Sequence, residues 1–157
     1  MALAQPVKAV PKEWPRLSTA ISYDDAARAI DWLCDAFGFH VRIKVVGEGG
    51  KIVHSELEWG EALIMAAQSG GRADRPLHPP GASPKSVGGA NTQCVMLFVD
   101  DADAHCAHAR AHGAKIVDEP ADHDYGAEYW TDRSYGAVDL EGHMWWFTQR
   151  LRDPAPK

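Results

Sequence analysis

The chain has 157 residues, 45% of them hydrophobic and 24% charged, with 16 Lys and Arg against 22 Asp and Glu for a net charge of −6. That is enough apolar material for one domain with a real core, and the ordinary balance excludes a disordered, collagenous or coiled-coil chain. An acidic chain without a basic run is not built for nucleic acid, and no apolar stretch approaches the roughly 20 residues of a membrane span.

Residues 1–16 include Pro6, Pro11 and Pro15, show little periodicity and read as an N-terminal arm. They have no apolar signal core. Cys34, Cys94 and Cys106 are odd in number and lack metal spacing, so a reduced, cytoplasmic protein is expected. Leu17–Tyr23 alternates as a strand, Asp24 and Asp25 cap a helix over Ala26–Phe37, and Gly38 stops it. Phe39–Val46, Lys51–Trp59 and Ala62–Ala67 are predicted strands. Residues 69–90, rich in Gly, Pro and Ser, form a linker or a lid.

The pattern then repeats. Thr92–Val99 is a strand, Asp100 and Asp101 cap a helix over Ala102–Ala111, and Gly113 stops it. Ala114–Val117 is a strand, Glu119–Glu128 an irregular loop, and Tyr129–Val138 and His143–Gln149 are the last two strands. Residues 151–157 read as a tail. The expected fold is α+β: two βαβββ modules, 17–68 and 91–150, forming a curved mixed sheet around a central cavity within one domain, 17–150.

The segments Ile21–Phe39, Val53–Leu57, Phe98–Asp101, Ala111–Ala114, Tyr125–Gly126 and Asp139–Trp145 carry a family likeness. Over about residues 16–150 the chain resembles the vicinal oxygen chelate superfamily (glyoxalase I, extradiol dioxygenases and bleomycin-resistance proteins), in its PhnB-like, glyoxalase-like branch. The resemblance implies the fold, a cavity and a homodimer. It also implies four metal-ligand positions, usually His and Glu, on four strands. Those positions fall at Ser18, Cys94, Ile64 or Met65, and Trp146. None is His or Glu, so no metal and no other cofactor is expected.

Alternation assigns the remaining candidates. Ser18, Ser22, Cys94, Met96, Phe98 and Trp146 should face the cavity, with Trp59 and Trp130 as further aromatic lining. His54 and Glu56, two apart on one strand, should point the same way and can hold a substrate or share a proton. The plain alternative is a hydrogen-bonded pair at a sheet edge. Cys94 reads as a nucleophile only if a base lowers its pKa, and no partner is visible. His105, His108 and His112 are spaced like a metal face, but read as the solvent side of an amphipathic helix.

The expected function is binding of a small aromatic or amphiphilic molecule in a Trp-lined cavity without the usual metal. The alternatives are a metal-dependent lyase, isomerase or dioxygenase with non-standard ligands, and a metal-free enzyme using His54 and Glu56 as acid and base.

Overall fold

Two Asp-Asp pairs each start a helix by the same local device. The Asp25 carboxylate accepts from the Arg28 N–H at 3.0 Å, and the Asp101 carboxylate from the Ala104 N–H at 2.9 Å. The computed structural model describes residues 9, 10 and 12–154. Its first module is β1 (Thr19–Tyr23), α1 (Ala26–Phe37), β2 (His40–Val46), β3 (Ile52–Trp59) and β4 (Ala62–Gln68). The second is β5 (Cys94–Phe98), α2 (Ala102–Ala111), β6 (Lys115–Asp124), β7 (Thr131–Val138) and β8 (Met144–Arg152). Strand order is β1-β4-β3-β2 in one sheet and β5-β8-β7-β6 in the other. In both, the first strand lies parallel to the fourth and the other pairs are antiparallel. The sequence repeat is thus a repeat of topology, and the fold is α+β with two βαβββ modules. No described helix is long and apolar enough to cross a membrane.

Three differences from the sequence reading have physical causes. β6 continues through Asp124, across most of the segment expected as a loop. It is an edge strand, its register with β7 shifts twice, and Pro120 is tolerated where no outer partner needs its N–H. β8 runs to Arg152, two residues into the expected tail. Most importantly, the sheets are separate, and their helix-covered faces share one core. Phe37, at the end of α1, packs on Trp145 and Phe147 of β8, with ring centroids 5.2 and 4.8 Å apart. The faces expected to enclose one cavity are each left open.

His108 and His112 are exposed, as the solvent-face reading expected, but His105 is half-buried and both His105 and His108 have partners on α1. The last turn of a helix leaves carbonyls without partners. His105 and His108 supply them for α1, with His108 Nε2 2.7 Å from the Asp35 carbonyl and His105 Nε2 3.2 Å from the Phe37 carbonyl. That leaves His105 Nδ1 to accept from the Tyr135 hydroxyl at 2.6 Å. Trp32 closes the seam by donating to the His112 carbonyl.

A second clamp joins the β7–β8 turn to the first module. The buried Asp139 carboxylate accepts from the Tyr23 hydroxyl, the Trp145 indole N–H, and the N–H groups of Glu141 and His143, all at 2.8–3.1 Å. Glu141 reaches further, taking the N–H groups of Asp24 and Asp25 on its two oxygens at 2.7 and 2.9 Å. A carboxylate from the second module thereby sits at the positive end of the α1 dipole. Burial, and then the Asp139 charge, push the Tyr23 hydroxyl well above its ordinary pKa, so it stays a donor.

Two outcomes follow. Asp139→Asn replaces one acceptor oxygen with an amide that opposes two donors. It is expected to cost about 2–4 kcal/mol in urea unfolding, and Tyr23→Phe about 1 kcal/mol. Burial also holds the folded His105 ring below its ordinary pKa of 6.5. As pH falls below about 6.5 the unfolded chain therefore binds more protons than the folded one, and stability should drop until pH passes the lower folded value. His105→Gln should flatten that slope. An unchanged slope between pH 7 and 5 would refute the assignment.

Candidate functional site

On the open face of the first sheet, β3 projects His54 and Glu56 in one direction. The Glu56 carboxylate is 2% exposed, with one oxygen 2.9 Å from His54 Nε2 and the other 3.4 Å from Arg42 Nε. Arg42 comes from β2, where it donates to the Glu13 carbonyl at 2.6 Å and lies 5.0 Å above the Trp14 ring. Residues 13–15 thus reach this face through Arg42. His54 remains half-exposed. Ser22 lies beside Gly81 of the 69–90 segment, where even a Cβ would collide with the Ser22 hydroxyl. That segment is pinned to β1 by the Ser69 N–H on the Tyr23 carbonyl, and closed on itself by the Gly70–Gly81 bridge. Ser18 is half-buried, just ahead of β1.

The open face of the second sheet is aromatic. Cys94, Met96 and Phe98 pair in register with Met144, Trp146 and Thr148. Cys94 is exposed, Met96 is 52% exposed and Phe98 50%, while Leu97 between them is buried toward the core. Two-residue periodicity accounts for that split. Met96, Trp130, Trp146, Thr148 and Asp132 line a groove of about 370 Å³ with Tyr125 at its rim. The Tyr125 and Trp130 rings stand 5.5 Å apart. Arg150, opposite Asp132 on the neighbouring strand, donates to its carboxylate at 2.5 Å. Its guanidinium also lies 5.3 Å from the Phe98 and Trp130 rings. The cation fixes both rings and neutralises the carboxylate.

Trp59 stands apart from the other candidates. It projects on the core side of β3, its indole N–H donating to the Phe98 carbonyl at 3.2 Å and its ring edge-on to His105. The candidates are divided between two faces: Ser22, His54 and Glu56 on one, Cys94, Met96, Phe98, Trp130 and Trp146 on the other. Arg42 and Arg150 were not singled out in the sequence. Arg150 continues the two-residue step Trp146, Thr148, and Arg42 alternates with Val41 and Ile43, so period two was the available signal.

The family's metal does not fit these residues. The positions that the resemblance gives to the ligands are Ser18, Cys94, Ile64 or Met65, and Trp146, and among the described residues no three His, Cys, Asp or Glu side chains come together as a ligand set. A borderline divalent ion needs imidazole or carboxylate donors that these positions do not offer.

The model of the glyoxalase/bleomycin resistance protein/dioxygenase superfamily matches residues 17–147. The chain belongs to this superfamily. An uncharacterised protein of Mycobacterium bovis (strain ATCC BAA-935 / AF2122/97) is 34% identical over 142 residues, 88% of this chain and 86% of its own. TioX from Micromonospora sp. ML1 is 30% identical, with a TM-score of 0.68 over 87% of this chain and 99% of that one. A glyoxalase/bleomycin resistance protein from Streptomyces sp. CB03234 shares the fold at 19% identity and TM-score 0.57, over 84% of this chain and 97% of its own.

Removing Arg42 leaves the Glu56 charge buried beside His54 alone. Arg42→Met is expected to lower stability by about 1–2 kcal/mol, and adding Glu56→Gln should recover most of the loss. Additive losses in the double variant, measured by urea unfolding, would show that the ion pair does not couple the two.

Proposed function

We propose that this superfamily member binds a small aromatic or amphiphilic molecule without a metal centre, and that it works as a homodimer. The observation that carries the reading is the groove of Met96, Trp130 and Trp146 on the second sheet, with Met96 exposed, the two indoles partly exposed, and the polar Asp132 and Thr148 beside them. A planar ligand would stack on the indoles and gain a few oriented hydrogen bonds. Exposed Val41, Ile43 and Val45 on the edge strand of the first sheet leave apolar area suited to a second copy. The membership of TioX and of the Streptomyces glyoxalase/bleomycin resistance protein in the same fold is compatible with this reading.

A second reading rests on the His54–Glu56 contact. A carboxylate that accepts from Nε2–H leaves Nδ1 of the half-exposed ring as a base. In that case His54→Ala abolishes turnover of whatever substrate is found and spares binding in the aromatic groove.

Calorimetric titration with fused-ring aromatics, starting with 2-naphthylmethanol, tests the first reading. Trp146→Ala should weaken binding at least tenfold, about 1.4 kcal/mol. Unchanged affinity in that variant, or a monomer by sedimentation velocity at micromolar concentration, would contradict the corresponding half of the proposal.

A further inference from the structure

Each open face holds one carboxylate paired with an arginine, Glu56 with Arg42 on the first and Asp132 with Arg150 on the second. The first face carries further basic groups. On the first sheet, a cavity of about 560 Å³ lies between the β1-β4-β3 surface and the start of the 69–90 segment. Its floor is apolar, from Ala20, Met65 and Ala67, and its rim carries Lys51, Arg72 and Arg75 beside His54. Among the described residues lining it there is no carboxylate, although the whole chain carries −6. Arg72 and Arg75 share the single carboxylate of Asp74, at 3.2 and 3.7 Å, so one positive charge of that cluster is left over. Lys51 has no ion-pair partner among the described residues.

Like charges are not gathered around a concave apolar floor without a cost in repulsion, and an acidic protein has counter-charges to spare. The segment that brings the arginines is tied to β1 by the Ser69 N–H on the Tyr23 carbonyl and closed on itself by the Gly70–Gly81 backbone bonds. The arrangement is therefore placed by the fold. We infer that this cavity is a binding site for an amphiphilic organic anion, with its apolar body on Ala20, Met65 and Ala67 and its carboxylate or phosphate toward Lys51 and Arg75. A guanidinium and an ammonium at one rim suit either anion, the first by its planar fork and the second as a point charge. The inference does not require the aromatic groove of the second sheet.

The methionine methyl groups separate the two sites, because Met65 lies in this cavity and Met96 in the aromatic groove. Protein labelled with ¹³C at the methionine methyls would be titrated with 2-naphthoate, 2-naphthylmethanol and inorganic phosphate. The Met65 signal should saturate with 2-naphthoate at a Kd at least tenfold below that for the alcohol. Inorganic phosphate, with charge but no apolar body, should compete only at concentrations at least tenfold higher. Lys51→Gln combined with Arg75→Gln removes two rim charges and no core contact. It should bring naphthoate to the level of the alcohol at Met65 and leave the Met96 response unchanged. A still Met65 signal, equal affinity for acid and alcohol, phosphate competing as well as naphthoate, or a double variant that binds naphthoate like the parent would each overturn the inference. A Met65 response without any at Met96 would uphold it and count against the aromatic-groove reading alone.

Discussion

The Asp139 carboxylate is the constraint on which the arrangement of the modules depends. One buried anion holds four donors, two from its own turn and one each from Tyr23 and Trp145. Tyr23 lies 116 residues away in sequence. A buried carboxylate is costly unless its oxygens are filled, and here filling them requires the β7–β8 turn to sit against the β1–α1 junction. Glu141, two residues on, caps α1 from the same turn. The first helix is therefore started by its own Asp25 and completed from the other module.

Once that junction is made, the helix sides of both sheets are committed. Phe37, Phe39, Tyr135, Trp145 and Phe147 interleave, and the α2 histidines supply partners for the last carbonyls of α1. Each bulky ring buried there contributes on the order of 1.5–3 kcal/mol, which makes the helix side the stable side to close. The opposite faces remain available. They are built from the same topology but from different chemistry: imidazole, carboxylate and basic side chains over small apolar residues on one, indoles and a thioether on the other. Internal repetition in this fold doubles the scaffold, and the side chains at alternate positions decide what each copy can hold.

Much of this was legible in the sequence, for physical reasons that can be named. The Asp-Asp caps and the glycines after each helix mark local backbone events, so α2 over Ala102–Ala111 follows directly. Period two separated Cys94, Met96 and Phe98 from Val95, Leu97 and Val99, and the two sets do lie on opposite faces. What alternation does not contain is which faces meet. The same pattern serves modules that enclose one cavity and modules that turn their open faces apart. The deciding contacts, Tyr23 with Asp139 and Glu141 with Asp24 and Asp25, are long-range and carry no local signature. His105 was unreadable for a related reason: helical spacing placed it on a polar face, and only the end of α1 gives that face a partner. The strand beyond Val117 was hidden by its composition, since Asp, Glu and Pro suit an exposed edge as well as a loop.

On the proposed reading the open face of the second sheet, and not the buried aromatic cluster, receives the ligand. Labelling the six tryptophans with 5-fluorotryptophan and recording ¹⁹F spectra during a 2-naphthylmethanol titration tests it directly. The account requires the Trp146 and Trp130 resonances to move saturably while those of Trp32 and Trp145 stay fixed. Movement at Trp145 or Trp32 with Trp146 and Trp130 unchanged would place binding in the core between the modules and contradict it.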